Sequence, residues 1–79
     1  MMIYRVKELK NLETKETFFK DEDTAKMFMK KQAQYWINRR DDLFISCDAP
    51  KYLSIRIGNP DTDDSGLFIA FEMDEIIVY

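Results

Sequence analysis

The sequence predicts an α+β domain: a mostly antiparallel four- to five-stranded sheet with one helix packed on one face, in the order β-β-α-β-β-β. Three observations point there. Short segments in both halves of the chain alternate apolar and polar residues with the period of two of a half-buried strand. One segment between residues 20 and 40 repeats its apolar positions at the period of a helix. The remaining stretches are turn-forming clusters, with no second helical pattern. The chain of 79 residues is read as a single domain, 1–79. At this size only about 60% of the unfolded surface is buried, so the core is one thin layer.

The elements follow in order. In "MIYRVKEL", Tyr4 and Val6 fall on one side of a strand and Ile3, Arg5 and Lys7 on the other. "KNLETK" reads as a polar connection and "ETFF" as the returning strand of a hairpin. The segment "KDEDTAKMFMKKQAQYWINRR" is the helix. Asp21 is a suitable N-cap, because its carboxylate accepts bonds from the first free backbone N–H groups. Glu22 and Asp23 then lie at the positive end of the helix dipole, and Arg39 and Arg40 at the negative end. Winding the segment at about 100° per residue gathers Ala25, Phe28, Met29, Ala33, Tyr35 and Trp36 on one face. Lys26, Lys30, Lys31, Gln34 and Asn38 lie away from it. Gln32 falls near the middle of the apolar face, where a buried amide needs partners or costs about 1–3 kcal/mol.

Beyond "RRDD", "LFISC" sets Leu43, Ile45 and Cys47 against Phe44 and Ser46, and "DAPK" is a turn. "YLSIRI" sets Leu53, Ile55 and Ile57 against Tyr52, Ser54 and Arg56. "GNPDTDDSG" is turn chemistry throughout. "LFIAFEM" sets Leu67, Ile69, Phe71 and Met73 against Phe68, Ala70 and Glu72. "DEIIVY" is a short strand or a tail docked over the outer sheet face.

Composition narrows the functional classes. Apolar residues make up 46% and aromatics 14%, the profile of a folded chain despite 34% charged residues. No stretch approaches the roughly 18 consecutive apolar residues of a membrane span, and the N-terminus lacks the apolar run of a signal peptide. Cys47 is the single cysteine, so no intrachain disulfide staples the fold, and a cytoplasmic setting is expected. Histidine is absent. That removes Ser-His-Asp and Cys-His nucleophile pairs and the Cys/His zinc sets. A non-enzymatic protein without cofactor or metal is expected.

Residues 61–72, "DTDDSGLFIAFE", match the fixed positions of the twelve-residue calcium loop with Asp61, Asp63, Ser65, Gly66 and Glu72. The entering side does not fit. "YLSIRIGNP" alternates like a strand, and Pro60 biases Asn59 away from helical geometry. If 67–73 is a strand, Glu72 is carried away from the turn and cannot close the coordination that calcium requires. The segment is therefore read as an Asx-rich hairpin loop, with calcium binding as a second alternative function.

Two surfaces remain. The sheet face away from the helix gathers Phe44, Tyr52, Ser54, Arg56 and Phe68, with Ile3 a further candidate, a set rich in the residue types of interface centres. The charge is also uneven: residues 1–40 carry ten Lys and Arg against six Asp and Glu, a balance of +4, and residues 41–79 carry two against nine, a balance of −7. Asp41, Asp42, Asp48, Asp61, Asp63, Asp64, Asp74 and Glu75 are placed in turns or loops. Displayed carboxylates of this kind imitate DNA phosphates, and electrostatic complementarity would supply the on-rate toward a DNA-binding protein. In size and acidic character the chain resembles the small inhibitors that bacteriophages direct at host nucleases, glycosylases, clamps or CRISPR effectors; no motif ties it to one family.

The expectation is a protein-binding module that occupies a surface of a host protein. Its contact residues are Phe44, Tyr52, Arg56 and Phe68 on the sheet and Asp61, Asp63 and Asp64 in the loop. A second copy of the chain is another candidate partner. The alternative is a single-stranded nucleic-acid platform that uses the same aromatic face and the basic helix residues. The sheet's negative half of the chain argues against nucleic acid.

Overall fold

The computed structural model describes residues 1–58 and 66–79. Five strands and one helix follow the predicted order: β1 (Met2–Lys10), β2 (Glu13–Phe19), α1 (Glu22–Ile37), β3 (Leu43–Ala49), β4 (Tyr52–Ile57) and β5 (Gly66–Ile77). The strands form one sheet in the spatial order β2-β1-β5-β4-β3, and every neighbouring pair is antiparallel. The edge strands β2 and β3 therefore run in the same direction, and α1 carries the chain from one edge to the other across a single face.

The first hairpin is longer than the sequence suggests. "KNLETK" is mostly strand, and the connection shrinks to Asn11 and Leu12, with Lys10 opposite Glu13. Cross-strand chemistry explains why a polar segment holds. Lys7 faces Glu16, Glu8 faces Lys15 and Lys10 faces Glu13, three placements of opposite charge among four consecutive pairs that favour this register. Asn11 turns the corner at φ 58°, the left-handed region that asparagine tolerates better than most residues.

The helix starts where predicted. The Asp21 carboxylate accepts from the Thr24 backbone N–H at 3.0 Å and from its hydroxyl at 2.9 Å. It ends at Ile37, capped by Asn38, whose N–H donates to the Gln34 carbonyl at 2.9 Å. Arg39 and Arg40 thus lie beyond the last turn rather than inside it. Ala25, Met29 and Ala33, spaced four apart, are the buried stripe, with Phe28 and Trp36 half-buried beside it. Tyr35 does not join this face. It sits at the stripe's margin, 46% exposed.

The core lies between that stripe and one sheet face, where Val6, Leu43, Leu53, Ile55, Ile69, Phe71 and Met73 meet the helix. Two bulges break the expected alternation. Between Ile45 and Cys47 the register of β3 on β4 shifts by one residue, so Cys47 pairs with Ser54 and joins the open face instead of following Ile45. Ser46, the extra residue, places its hydroxyl 2.6 Å from that of Ser54. A second shift between Ile55 and Arg56 pairs Arg56 with Leu67. Phe68 is thereby turned to the helix side, and Leu67 to the open side at 55% exposure.

The C-terminal segment does not fold over the sheet. Ile76 and Ile77 continue β5 opposite Ile3 and Met2. No helix among the described residues is long and apolar enough to cross a membrane.

Candidate functional site

The open sheet face is assembled from cross-strand rows. One row runs Thr14–Leu9–Ala70–Ser54–Cys47 from edge to edge, and the next Glu16–Lys7–Glu72–Tyr52–Ala49. Phe18, Arg5 and Asp74 form a third, and Phe44, Arg56 and Leu67 a fourth. Ala70 is only 2% exposed although no described element lies over it; its row sits between the taller Tyr52–Glu72–Lys7 and Leu67–Arg56–Phe44 rows. The face is thus a shallow trough with aromatic and charged rims. Its charges balance internally: Arg5, Lys7 and Arg56 against Glu16, Glu72 and Asp74. Arg5 donates to Asp74 at 2.7 Å and has Glu16 at 3.8 Å. The hydrogen bond to Asp74 raises its pKa further; desolvation opposes the shift and the charges of Asp74 and Glu16 add to it.

Of the residues predicted for binding, Phe44, Tyr52 and Arg56 share this face, with Phe44 directly opposite Arg56. Phe68 does not; the β5 register shift sends it to the other side. Asp61, Asp63 and Asp64 lie outside the described residues. Three other carboxylates expected in loops sit in strands: Asp48 in β3, and Asp74 and Glu75 in β5. Strand pairing absorbs them because their apolar neighbours belong to the sheet. Asp74 and Glu75 are also ion-paired, to Arg5 at 2.7 Å and Lys51 at 3.5 Å, and Asp42 is held by Arg40.

The calcium pattern is split by the same strand. Asp61, Asp63 and Ser65 lie outside the described residues, but Gly66 opens β5 and Glu72 pairs with Tyr52 and Lys7 well inside it. Six residues of extended chain separate Gly66 and Glu72 by about 20 Å. A carboxylate at that distance cannot close a coordination sphere of about 2.5 Å radius around a ligand beside Gly66. Among the described residues no cluster of three or more acidic, Cys or His side chains is arranged to hold a metal.

Where Phe68 goes, a second constellation forms. Its ring meets Trp36 edge-on at 5.4 Å, and Trp36 meets Tyr35 at 5.3 Å. Three cations lie over these rings: Lys10 over Trp36 at 4.1 Å and Phe68 at 4.9 Å, Arg40 over Phe68 at 5.3 Å, and Arg39 over Tyr35 at 4.3 Å. Sequence reasoning missed this group because it depends on the β5 bulge and on the reach of the β1–β2 hairpin past the helix. One signal was present: Gln32, a polar residue in the middle of an apolar helix face. It is half-buried and lines a cleft beside Trp36, with the distal hairpin as the opposite wall.

Comparison with protein-family models, curated proteins and solved structures finds no match to this chain.

Proposed function

We propose that the protein is a non-enzymatic cytoplasmic binding module whose open sheet face docks on another protein. The observation that carries this reading is the trough itself. A sheet face bears Phe44, Tyr52, Arg56, Leu9 and Ile3 with none of the described elements over it, and Phe18 and Leu67 stand on its margins more than half exposed. Aromatic residues and arginine favour the centres of protein interfaces, where they supply large apolar contact together with directed polar groups. The balanced charge favours a protein partner over a phosphate backbone, which selects an excess of cations. The acidic surface carries less of the reading than the sheet does, because ion pairs already engage Asp42, Asp74 and Glu75. Occupying a host protein's surface, as a small inhibitor would, is the form of activity this face suits.

The test is capture from a bacterial lysate with and without nuclease, using the wild-type chain, Tyr52→Ala and Phe44→Ala. The expected result is one dominant protein that survives nuclease and falls at least tenfold in both variants while their circular dichroism is unchanged. Capture at wild-type strength by both folded variants would remove the sheet face from consideration. Recovery that disappears with nuclease would replace a protein partner with nucleic acid.

A further inference from the structure

On the opposite side of the molecule from the trough, the second half of α1 and the distal half of the β1–β2 hairpin enclose a cleft of about 320 Å³. Phe19 and Phe28 pin the hairpin's root to the helix with their rings 5.0 Å apart, while the hairpin continues toward Asn11 and Leu12. The helix wall offers Trp36 and Gln32, and the hairpin wall offers Lys10, Lys15, Glu8 and Glu13. The volume is at the lower end of the range of small-molecule sites.

We propose that this cleft binds a nucleoside phosphate. Each wall group has a counterpart in that ligand class. The Trp36 indole is a stacking surface for a planar base. The Gln32 amide carries both a donor and an acceptor, the pair that reads the edge of a base. Lys10 and Lys15, balanced across the hairpin by Glu13 and Glu8, supply charge-assisted hydrogen bonds to a single phosphate, which unlike a polymer backbone needs no excess of cations, and the two carboxylates accept from sugar hydroxyls or an exocyclic amine. Gln32 is the residue that needs the explanation: an apolar side chain would fit its helix face, and the amide instead borders the open cleft. Lys10 couples the two halves of the site. Its ammonium rests 4.1 Å from the Trp36 ring centre, a modest attraction at a wet surface. An incoming phosphate is a stronger partner, and the ring face that Lys10 leaves is then free for the base.

Trp36 is the chain's single tryptophan, so its fluorescence reports on the cleft alone. The full chain is titrated separately with AMP, GMP, CMP and UMP, with ribose 5-phosphate and inorganic phosphate as controls. The expected result is saturable quenching by at least one nucleotide with a Kd on the order of 0.1–1 mM. Neither control should quench. Gln32→Leu and Lys10→Met, checked for an unchanged thermal midpoint, should each weaken binding about tenfold, the worth of one lost hydrogen bond or charge contact. Amide shifts at Lys10, Lys15 and Gln32 confirm the location. The proposal is overturned by absence of saturable quenching with all four nucleotides, by equal binding in both folded variants, or by a response to phosphate alone. None of these outcomes bears on the sheet face, whose variants lie across the sheet.

Discussion

Arg40 grips Asp42 with both arms of its guanidinium, Nε to Oδ1 at 2.9 Å and the second nitrogen to Oδ2 at 2.6 Å. These hydrogen bonds hold the Asp42 carboxyl below the ordinary aspartate value of 3.8; partial desolvation opposes the shift and the charge of Arg40 adds to it. A carboxyl depressed in the folded state contributes stability that is complete above the ordinary value and is lost as pH falls through the lower, folded one. Thermal midpoints measured below about pH 4 should therefore fall more steeply for the wild type than for Asp42→Asn. Both side chains are exposed, so the difference should be small and should shrink with added salt. This pair was not legible in the sequence. "RRDD" fits solvated charges equally well, and the pairing depends on the helix ending at Ile37, so that the chain turns between Arg40 and Asp42.

At the scale of the element, β5 shows where alternation stops being a guide. Period two places Leu67 with Ile69, Phe71 and Met73 on the core face, and from Ile69 onward the structure agrees. The register shift opposite Ile55 and Arg56 reverses the two residues before it. Phe68→Ala should therefore cost about 1–2 kcal/mol in chemical denaturation, the share of a half-buried aromatic. Leu67→Ala should stay within about 0.5 kcal/mol. The opposite ranking would mean that unbroken alternation describes β5 correctly. The same failure moved Cys47 across β3, and in both strands the bulge leaves no mark in the pattern of apolar residues. The helix was more legible, because its start rests on a local signal: Asp21 bonded to Thr24 needs no knowledge of the rest of the fold. The hairpin was legible in kind and not in length, since opposite charges paired across strands look, in one dimension, like a polar loop.

For the whole molecule, the thin core expected from 79 residues is what limits tolerance to change. Phe71 is fully buried at the centre of the sheet, under the helix, and touches the cluster that joins all six elements. Phe→Ala in such a place costs about 3–5 kcal/mol, against about 4–12 kcal/mol for a domain of this length. Phe71→Ala should therefore remove about a third or more of the fold's stability, visible as a thermal midpoint lowered by more than about 10 °C and a uniform loss of amide protection. A variant with a sharp transition near that of the wild type would show that the core can close around the gap. The five-stranded, one-helix plan could be read from the sequence, whereas the strand order could not. Alternation states which face a strand buries and is silent on which strands are its neighbours.

That order has a consequence for how the chain is made. β5 is both the strand between β1 and β4 and the last of the five to leave the ribosome. Until it emerges, the β1–β2 and β3–β4 hairpins have no strand between them, and the flanks that will pair with it, from Met2 to Leu9 and from Tyr52 to Ile57, stand open. Folding of the sheet must therefore wait for residues 66 to 77, with contacts spanning nearly the whole chain to form at once. Nascent chains stalled before residue 66 should offer two unpaired edges to chaperones or to one another, a hazard that closes only when the final strand arrives.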